Sequence, residues 1–145
     1  IRRQAYEKVM NDKGLTIEEE LIKEGDFSLE SGYESMVQII ESKVKLPTAM
    51  FVATDYMAIG AIKALKDKGY KVPEDVSVIG FDDVHVASFY CPPLTTICTD
   101  KRATGDWASR YLLKAIEKGS MDMKVFTADY ELKERESVVD HKAEK

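Results

Sequence analysis

Two adjacent carboxylates, Asp82 and Asp83, close an apolar run in the stretch 78-VIGFDDV-84. Consecutive residues of a strand point to opposite faces, so the two acids do not form a facing acid–base pair while the strand persists. We expect one carboxylate to face a crevice and the other to turn back and accept backbone N–H groups. A carboxylate at a strand end can accept two hydrogen bonds from adjacent hydroxyls, which suits sugar recognition. The spacing leaves open the alternative that both aspartates cap the following turn.

A second polar pair, Thr54 and Asp55, follows the apolar run 48-TAMFVAT-54. Asp55 ends a predicted strand and opens a predicted helix, which favours a helix N-cap role. Thr54 is predicted either to cap that helix or to present its hydroxyl to a ligand. In open parallel sheets, ligands bind outside the carboxyl ends of the strands. If the strands before Asp55 and Asp82 are neighbours, both acids line that edge.

Signatures of catalysis are missing from the sequence. It contains no G-x-S-x-G, no G-x-G-x-x-G, no phosphate-cradling glycine loop and no H-E-x-x-H. His85 and His141 lack Cys or His partners at metal-binding spacing and are expected at the surface. We therefore expect no enzyme, no cofactor and no metal. An enzyme or a receiver domain using Asp82 and Asp83 stays as an alternative, although the order of acidic residues fits a receiver domain poorly.

Composition limits the class of protein. The 145 residues, 44% of them hydrophobic, suffice for one domain with a real core. A formal net charge of −5 argues against nucleic-acid binding by this chain alone. No apolar run approaches the roughly 20 residues of a membrane span. Cys91 and Cys98 are predicted to be free thiols. Because residue 1 is Ile and its helix starts without a cap, we expect the chain to be cut from a longer one.

The periodicity of apolar residues predicts alternating helices and strands. Predicted helices cover 1–13, 29–43, 55–68, 84–89 and 101–118. Predicted strands cover 19–24, a fully buried 48–54, the end of 72–83, 94–99, 125–132 and 135–139. Such alternation requires right-handed crossovers, which predicts an α/β fold with a mostly parallel sheet flanked by helices.

Three motifs carry a resemblance to a known family. They are "PTA…D-x-x-A-x-G", "G-x-x-V-P-x-D-V-S-V-I-G-F-D-D" and "P-P-L-T-T-I", all within residues 47–97, with 2-RRQAY-6 and 135-RES-137 on either side. Together they resemble the LacI/GalR family of bacterial transcriptional regulators over nearly the whole chain. That resemblance implies a helix-turn-helix, a hinge and a two-lobed effector-binding core like that of periplasmic sugar-binding proteins.

On this resemblance the chain is the C-terminal part of the effector-binding core, one lobe of a type I periplasmic-binding-protein-like fold. Residues 1–100 and 125–139 would form the lobe, and helix 101–118 would pack on the missing N-terminal lobe. The implied function is effector sensing and dimerisation in a cytoplasmic regulator whose missing N-terminal helix-turn-helix binds operator DNA. The alternative is a lobe of a periplasmic-type solute-binding protein for transport or chemotaxis, because both classes share the crevice.

The resemblance also assigns ligand-binding residues. Arg2 and Asp82 match effector-contacting positions, and Phe27 falls where many members place an aromatic ring against the ligand. Thr54 occupies a position where some sugar-binding members have Asn, and Thr99 lies at a variable position. The implied effector is a sugar or sugar phosphate, with a nucleobase left open.

A homodimer is the partner that the resemblance implies. Asp55 begins the helix at the family's dimer interface, and the predicted partner-facing residues are Tyr56, Ile59, Gly60, Lys63, Phe89 and Tyr90. The apolar stripe of helix 101–118 needs a cover, so we expect the chain to associate through it as well. Alone, the chain is expected to bind no operator DNA and to bind effector weakly.

Overall fold

The chain folds into a four-stranded sheet flanked by helices. The computed structural model describes residues 1–120 and 124–141. The helices are α1 (Arg2–Asp12), α2 (Leu29–Glu41), α3 (Asp55–Asp67) and α4 (Lys101–Lys118). The strands are β1 (Ala49–Phe51), β2 (Ser77–Phe81), β3 (Thr95–Thr99) and β4 (Tyr130–Lys133). Two short 3-10 helices cover Glu19–Leu21 and His85–Ser88.

The strand order is β1-β2-β3-β4, and β1, β2 and β3 run parallel while β4 is antiparallel to β3. Phe51 pairs with Ile79, and Phe81 pairs with Ile97. The parallel strands therefore end at one common edge, which is where α3 and α4 begin. The predicted α/β fold with a mostly parallel sheet is confirmed, and the strands before Asp55 and Asp82 are neighbours.

Helices α2 and α3 form the layer that covers one face of the sheet. Nine residues of α3 are buried, and α2 adds Met36 and Ile39 to the same core. The two helices approach closely because glycine occupies both contact points. A Cβ on Gly60 would lie 2.0 Å from the carbonyl oxygen of Leu29, and a Cβ on Gly32 would lie 2.1 Å from the carbonyl oxygen of Met57. Side chains at these two positions are therefore incompatible with the observed packing.

The opposite face of the sheet and helices α1 and α4 are less covered. Neither helix contains a buried residue, and Phe51 and Leu132 on the sheet are 40% and 46% exposed. Trp107 of α4 stacks on Tyr111 and on Phe126, with ring centroids 5.2 and 5.1 Å apart. The segment after α4 thus covers part of its apolar stripe, but Leu112 and Ile116 remain exposed. Association through α4 stays a prediction.

Several predicted strands differ from the structure. Residues 19–24 contain a 3-10 turn at Glu19–Leu21, where a run of glutamates with low strand propensity replaces the expected strand. The 48–54 strand is reduced to β1, which lies at the sheet edge with Ala49 and Phe51 exposed, so it is not fully buried. Of the predicted strand 125–132, only residues 130–132 lie in a strand, β4.

Residues 135–139 also form no strand, and Ser137 joins the sheet through both its side chain and its backbone. The Ser137 hydroxyl donates to the Val78 carbonyl at 2.6 Å and accepts from the Thr95 amide at 2.8 Å. The Val78 amide in turn donates to the Ser137 carbonyl at 2.8 Å. This buried serine joins the amino-terminal ends of β2 and β3. Both Cys91 and Cys98 are free thiols, as predicted.

Replacing Gly60 with alanine is expected to lower the free energy of unfolding by about 1–3 kcal/mol, because the new methyl group would force α2 away from α3. Urea unfolding measures the change. The matched control is Gly105→Ala in α4, where an added Cβ meets nothing within 4 Å. That variant should gain roughly 0.5–1 kcal/mol from helix propensity. Equal effects of the two substitutions would contradict the close helix packing.

Candidate functional site

Arg2 and Asp82 meet at the carboxyl edge of the sheet. The distance from Arg2 Nη2 to Asp82 Oδ1 is 3.6 Å, and the two side chains are 37% and 33% exposed. Arg2 Nη1 donates to the carbonyl oxygen of Ala53, and its guanidinium lies 3.9 Å from the centroid of the Phe81 ring. The first residue of α1 therefore spans the ends of β1 and β2, and its charge is held against an aromatic face.

The turn after β2 departs from extended backbone at once. Asp82 has φ 114° and Asp83 has φ 49°, a region that residues with side chains rarely adopt. Asp83 Oδ1 accepts from Arg135 Nη2 at 2.6 Å, and Arg135 Nη1 donates to the Leu94 carbonyl at 2.8 Å. The expectation that the second acid accepts backbone N–H groups is wrong, since it binds a guanidinium. Arg135 was not predicted to have this role, although it lies in the 135-RES-137 motif.

Thr54, rather than the favoured Asp55, caps α3, which is one of the two roles predicted for Thr54. The Thr54 hydroxyl accepts from the Met57 amide at 3.3 Å and caps α3, so Asp55 is not the N-cap. Asp55 is fully buried and accepts from the Thr96 hydroxyl at 2.5 Å and from the Val84 amide at 2.8 Å. Thr54 is 8% exposed, and its oxygen is occupied as an acceptor. Direct contact between Thr54 and a ligand stays a prediction.

Phe27 is presented by a tight polar loop. It has φ 71° and its side chain is 62% exposed. On its flanks, Asp26 Oδ1 accepts from the Ser28 amide at 3.0 Å and from the Ser28 hydroxyl at 2.5 Å. The loop lies beside the start of α3, because a Cβ on Gly25 would meet the Met57 side chain at 2.3 Å. Phe27 is therefore carried at the end of α3 where Thr54 forms the cap.

Two further residues lie near the end of β3. Thr99 is half-buried and pairs with Tyr130 across the antiparallel ladder. The exposed Lys101 donates from Nζ to the carbonyl oxygen of Asp82. Sequence reasoning missed Lys101, although a cation directly after the carboxyl end of a strand is a recognisable signal. It adds positive charge beside Asp82.

The residues predicted to face a partner divide into two groups. Tyr56 and Phe89 are 47% and 75% exposed, and Lys63 is exposed with an ion pair to Asp67 at 2.5 Å. Ile59, at 6% exposure, and Gly60 instead are buried, and Gly60 packs against α2. Contact of these two residues with a partner stays a prediction. They form the floor of a groove whose walls include Leu29, Tyr33, Lys63 and the half-buried Tyr90.

Comparison with known proteins identifies the domain family of this chain. The profile of the periplasmic binding protein-like domain matches residues 1–138, which is nearly the whole chain. The chain belongs to the periplasmic binding protein-like domain family. Its similar relatives include an HTH-type transcriptional repressor PurR from Histophilus somni, 44% identical over 138 residues, covering 95% of this chain and 41% of the relative. The PurR repressor from Haemophilus influenzae is 48% identical over 115 residues, covering 79% of this chain and 34% of the relative.

Solved structures agree with this assignment. A complex of the transcriptional regulator CelR with cellobiose has a TM-score of 0.87 at 31% identity, covering 94% of this chain and 41% of that one. The Lac repressor dimer bound to operator and the anti-inducer ONPF has a TM-score of 0.83 at 33% identity, covering 96% and 47%. The predicted resemblance to LacI-family regulators is confirmed, and these relatives are regulators rather than enzymes.

The matched part of the chain spans about one third to two fifths of the length of these two relatives. Within residues 1–120 and 124–141, no helix is long and apolar enough to cross a membrane. In the same part of the chain, no cluster of three or more His, Cys, Asp or Glu side chains is arranged to hold a metal ion.

The loop that carries Phe27 is expected to contribute pH-dependent stability. Hydrogen bonds from the Ser28 hydroxyl and amide, and from Ser31, lower the pKa of Asp26 to about 2. Because the folded pKa lies below the ordinary value near 3.8, the contribution is complete above about pH 4 and disappears as the pH falls through 2. Asp26→Asn should therefore be less stable than the parent at pH 5, and the difference should shrink towards pH 2.

Urea unfolding of both proteins between pH 2 and 5 tests this expectation. Glu74→Gln serves as the control, because it removes an exposed carboxylate far from the loop in sequence. A difference between Asp26→Asn and the parent that stays constant over this range would contradict the stated role of the ionised Asp26 carboxylate.

Proposed function

We propose that this domain is the effector-sensing and dimerising lobe of a bacterial transcription regulator, and that its effector binds at Arg2 and Asp82. The observation that supports the proposal is the 3.6 Å approach of these two side chains at the carboxyl edge of a parallel sheet. That edge is the usual ligand-binding position in open α/β sheets. Asp82 offers acceptor oxygens and Arg2 offers donors within one ligand's reach.

The chemistry of the edge suits a flat ligand with polar groups on its rim. Phe27 provides an exposed ring for stacking, while Asp82 and Arg2 provide an acceptor and a donor. Each hydrogen bond to a charged group is worth about 1.5–3 kcal/mol. A ligand that used all three residues would meet both an apolar face and a polar edge.

A purine is the effector class that we propose, in place of the sugar first expected. PurR repressors are the relatives at 44% and 48% identity, whereas the CelR–cellobiose complex is at 31%. Thr54 stands where some sugar-binding members have Asn, and its oxygen is already engaged in capping α3. A planar base can instead use the exposed Phe27 ring. A sugar is the second candidate, supported by the high structural similarity to the CelR–cellobiose complex.

The mechanism requires a second lobe that this chain does not contain. One lobe would consist of residues 1–100 and 125–139. Helix α4 would pack on the other lobe, in keeping with its lack of buried residues. An effector shifts the orientation of the lobes by its difference in affinity for the two states. A homodimer would transmit that change to helix-turn-helix units on operator DNA in the cytoplasm. The repressor relatives favour this function over a solute-binding lobe for transport.

Asp82→Ala in the intact regulator is expected to weaken effector binding by about 10- to 100-fold, since it removes one or more charge-assisted hydrogen bonds. Calorimetric titration with adenine, guanine, hypoxanthine, glucose and cellobiose measures it. Glu74→Ala is the control for loss of a surface carboxylate. A ligand that bound Asp82→Ala as tightly as the parent would show that the site is elsewhere. Binding of cellobiose but of no purine would decide for the second candidate.

The Phe89→Asp substitution is expected to weaken the dimer at least tenfold, because Phe89 is the most exposed aromatic of the predicted interface at 75%. Sedimentation velocity of the intact regulator over a concentration series measures the dissociation constant. The matched control is Val125→Asp, which changes another exposed apolar residue outside α3 and its neighbours. Dissociation caused by Val125→Asp and not by Phe89→Asp would place the interface on the α4 side instead.

A further inference from the structure

The buried carboxylate of Asp55 lies directly behind the proposed effector site. Asp55 is fully buried, and its two oxygens accept from different elements: Oδ1 from the Thr96 hydroxyl of β3 and Oδ2 from the Val84 amide after β2. Burying a carboxylate is costly, and the cost is offset by hydrogen bonds and by its position in the first turn of a helix. The acid therefore joins α3, β3 and the turn that follows β2.

The space for this carboxylate depends on a residue without a side chain. A Cβ on Gly80 would lie 2.3 Å from Asp55 Oδ1 and 3.0 Å from the Leu94 side chain. Gly80 is in β2 on the face that α3 covers, opposite Thr96 in the β3 register. The strand pair thus leaves a gap, and the Asp55 carboxylate fills it.

Three consecutive amides of the turn are each tied to a different acceptor. The Asp82 amide donates to the Ile97 carbonyl at 2.9 Å, the Asp83 amide donates to the Thr96 hydroxyl at 3.4 Å, and the Val84 amide donates to Asp55. Asp82 and Asp83 both have positive φ, which costs energy for residues with side chains. An unusual backbone of this kind persists where surrounding hydrogen bonds determine it, and Asp55 and Thr96 supply two of them.

We propose that Asp55 and Thr96 are positioning residues that hold the left-handed turn at 82–83, and so keep the Asp82 carboxylate directed at Arg2 and the effector. This inference rests on the proposed function for its consequence, since the turn would matter for binding only if Asp82 contacts the effector. Arg135 supports the same turn from the Asp83 carboxylate at 2.6 Å. Without the hydrogen bonds of Asp55 and Thr96, the turn relaxes and Asp82 no longer contacts Arg2.

The test uses Thr96→Val, which keeps the volume but removes the hydroxyl, together with Thr96→Ser, which restores it, and Asp55→Ala. Amide hydrogen exchange by NMR on the intact regulator compares Val84 with Val78, whose amide is bonded to the Ser137 carbonyl. A nuclear Overhauser contact between the Arg2 guanidinium and the Phe81 ring reports on the position of Arg2. The control for general destabilisation is Ile62→Val, in the fully buried core of α3.

In Thr96→Val we expect Val84 exchange to accelerate about tenfold relative to Val78, the factor that corresponds to one net hydrogen bond. The Arg2–Phe81 contact should weaken, and Thr96→Ser should restore both signals. Ile62→Val should change the two amides in parallel. If Val84 and Val78 change in parallel in Thr96→Val as well, the positioning role is overturned. Thr96→Val decides the question if Asp55→Ala does not fold.

Binding of guanine and cellobiose by the intact regulator separates this inference from the proposed function. Thr96→Val is expected to weaken binding of whichever ligand the parent binds by about tenfold. Ile62→Val is expected to leave that affinity unchanged. Unchanged binding in Asp82→Ala would refute the proposed site. The exchange data would still test whether Asp55 and Thr96 hold the turn at 82–83. Binding weakened in Asp82→Ala but unchanged in Thr96→Val would refute the positioning role alone.

Discussion

The hydrogen bonds of Asp55 are the interaction on which the carboxyl edge of this fold depends. They join the start of α3 to β3 and to the turn after β2, across 41 and 29 residues of chain. A one-residue slip of β3 against β2 would turn Thr96 to the opposite face and leave the carboxylate buried without its hydroxyl partner. The register of the parallel strands and the geometry of the Asp82 turn are therefore fixed by the same contact.

Helix α3 serves several purposes at once, and its composition reflects this. Its glycine and alanine residues let it lie close to α2 and the sheet, so nine of its thirteen residues are buried. What remains exposed is a narrow outer strip with Tyr56 and Lys63, while its first turn carries Asp55 at the carboxyl edge of the sheet. On the proposed function, α3 would connect the partner-facing surface to the effector site.

Local pattern was sufficient for the order of elements but not for the pairing of side chains. The helical period and the apolar runs predicted all four helices and the parallel sheet, because both follow from residues a few positions apart. The predicted strand at 19–24 is wrong, because its glutamates have low strand propensity and its apolar and polar residues alternate only imperfectly. Arg2 and Asp82 came from family motifs, since 80 positions separate them and spacing cannot join them. The Asp83–Arg135 pair spans 52 residues, and it was missed for the same reason.

The two adjacent aspartates that close β2 are separated by the strength of their pairing. Asp83 and Arg135 are 2.6 Å apart and 19% exposed, so this ion pair is short and shielded from solvent. Asp82 and Arg2 are 3.6 Å apart and one third or more exposed, a geometry in which an ion pair contributes little to stability. In the proposed site, a ligand would therefore insert between Arg2 and Asp82 at small cost, while the turn stays anchored through Asp83. Adjacent residues of one type would thus divide anchoring from the proposed recognition, because the backbone between them turns and gives each carboxylate its own arginine.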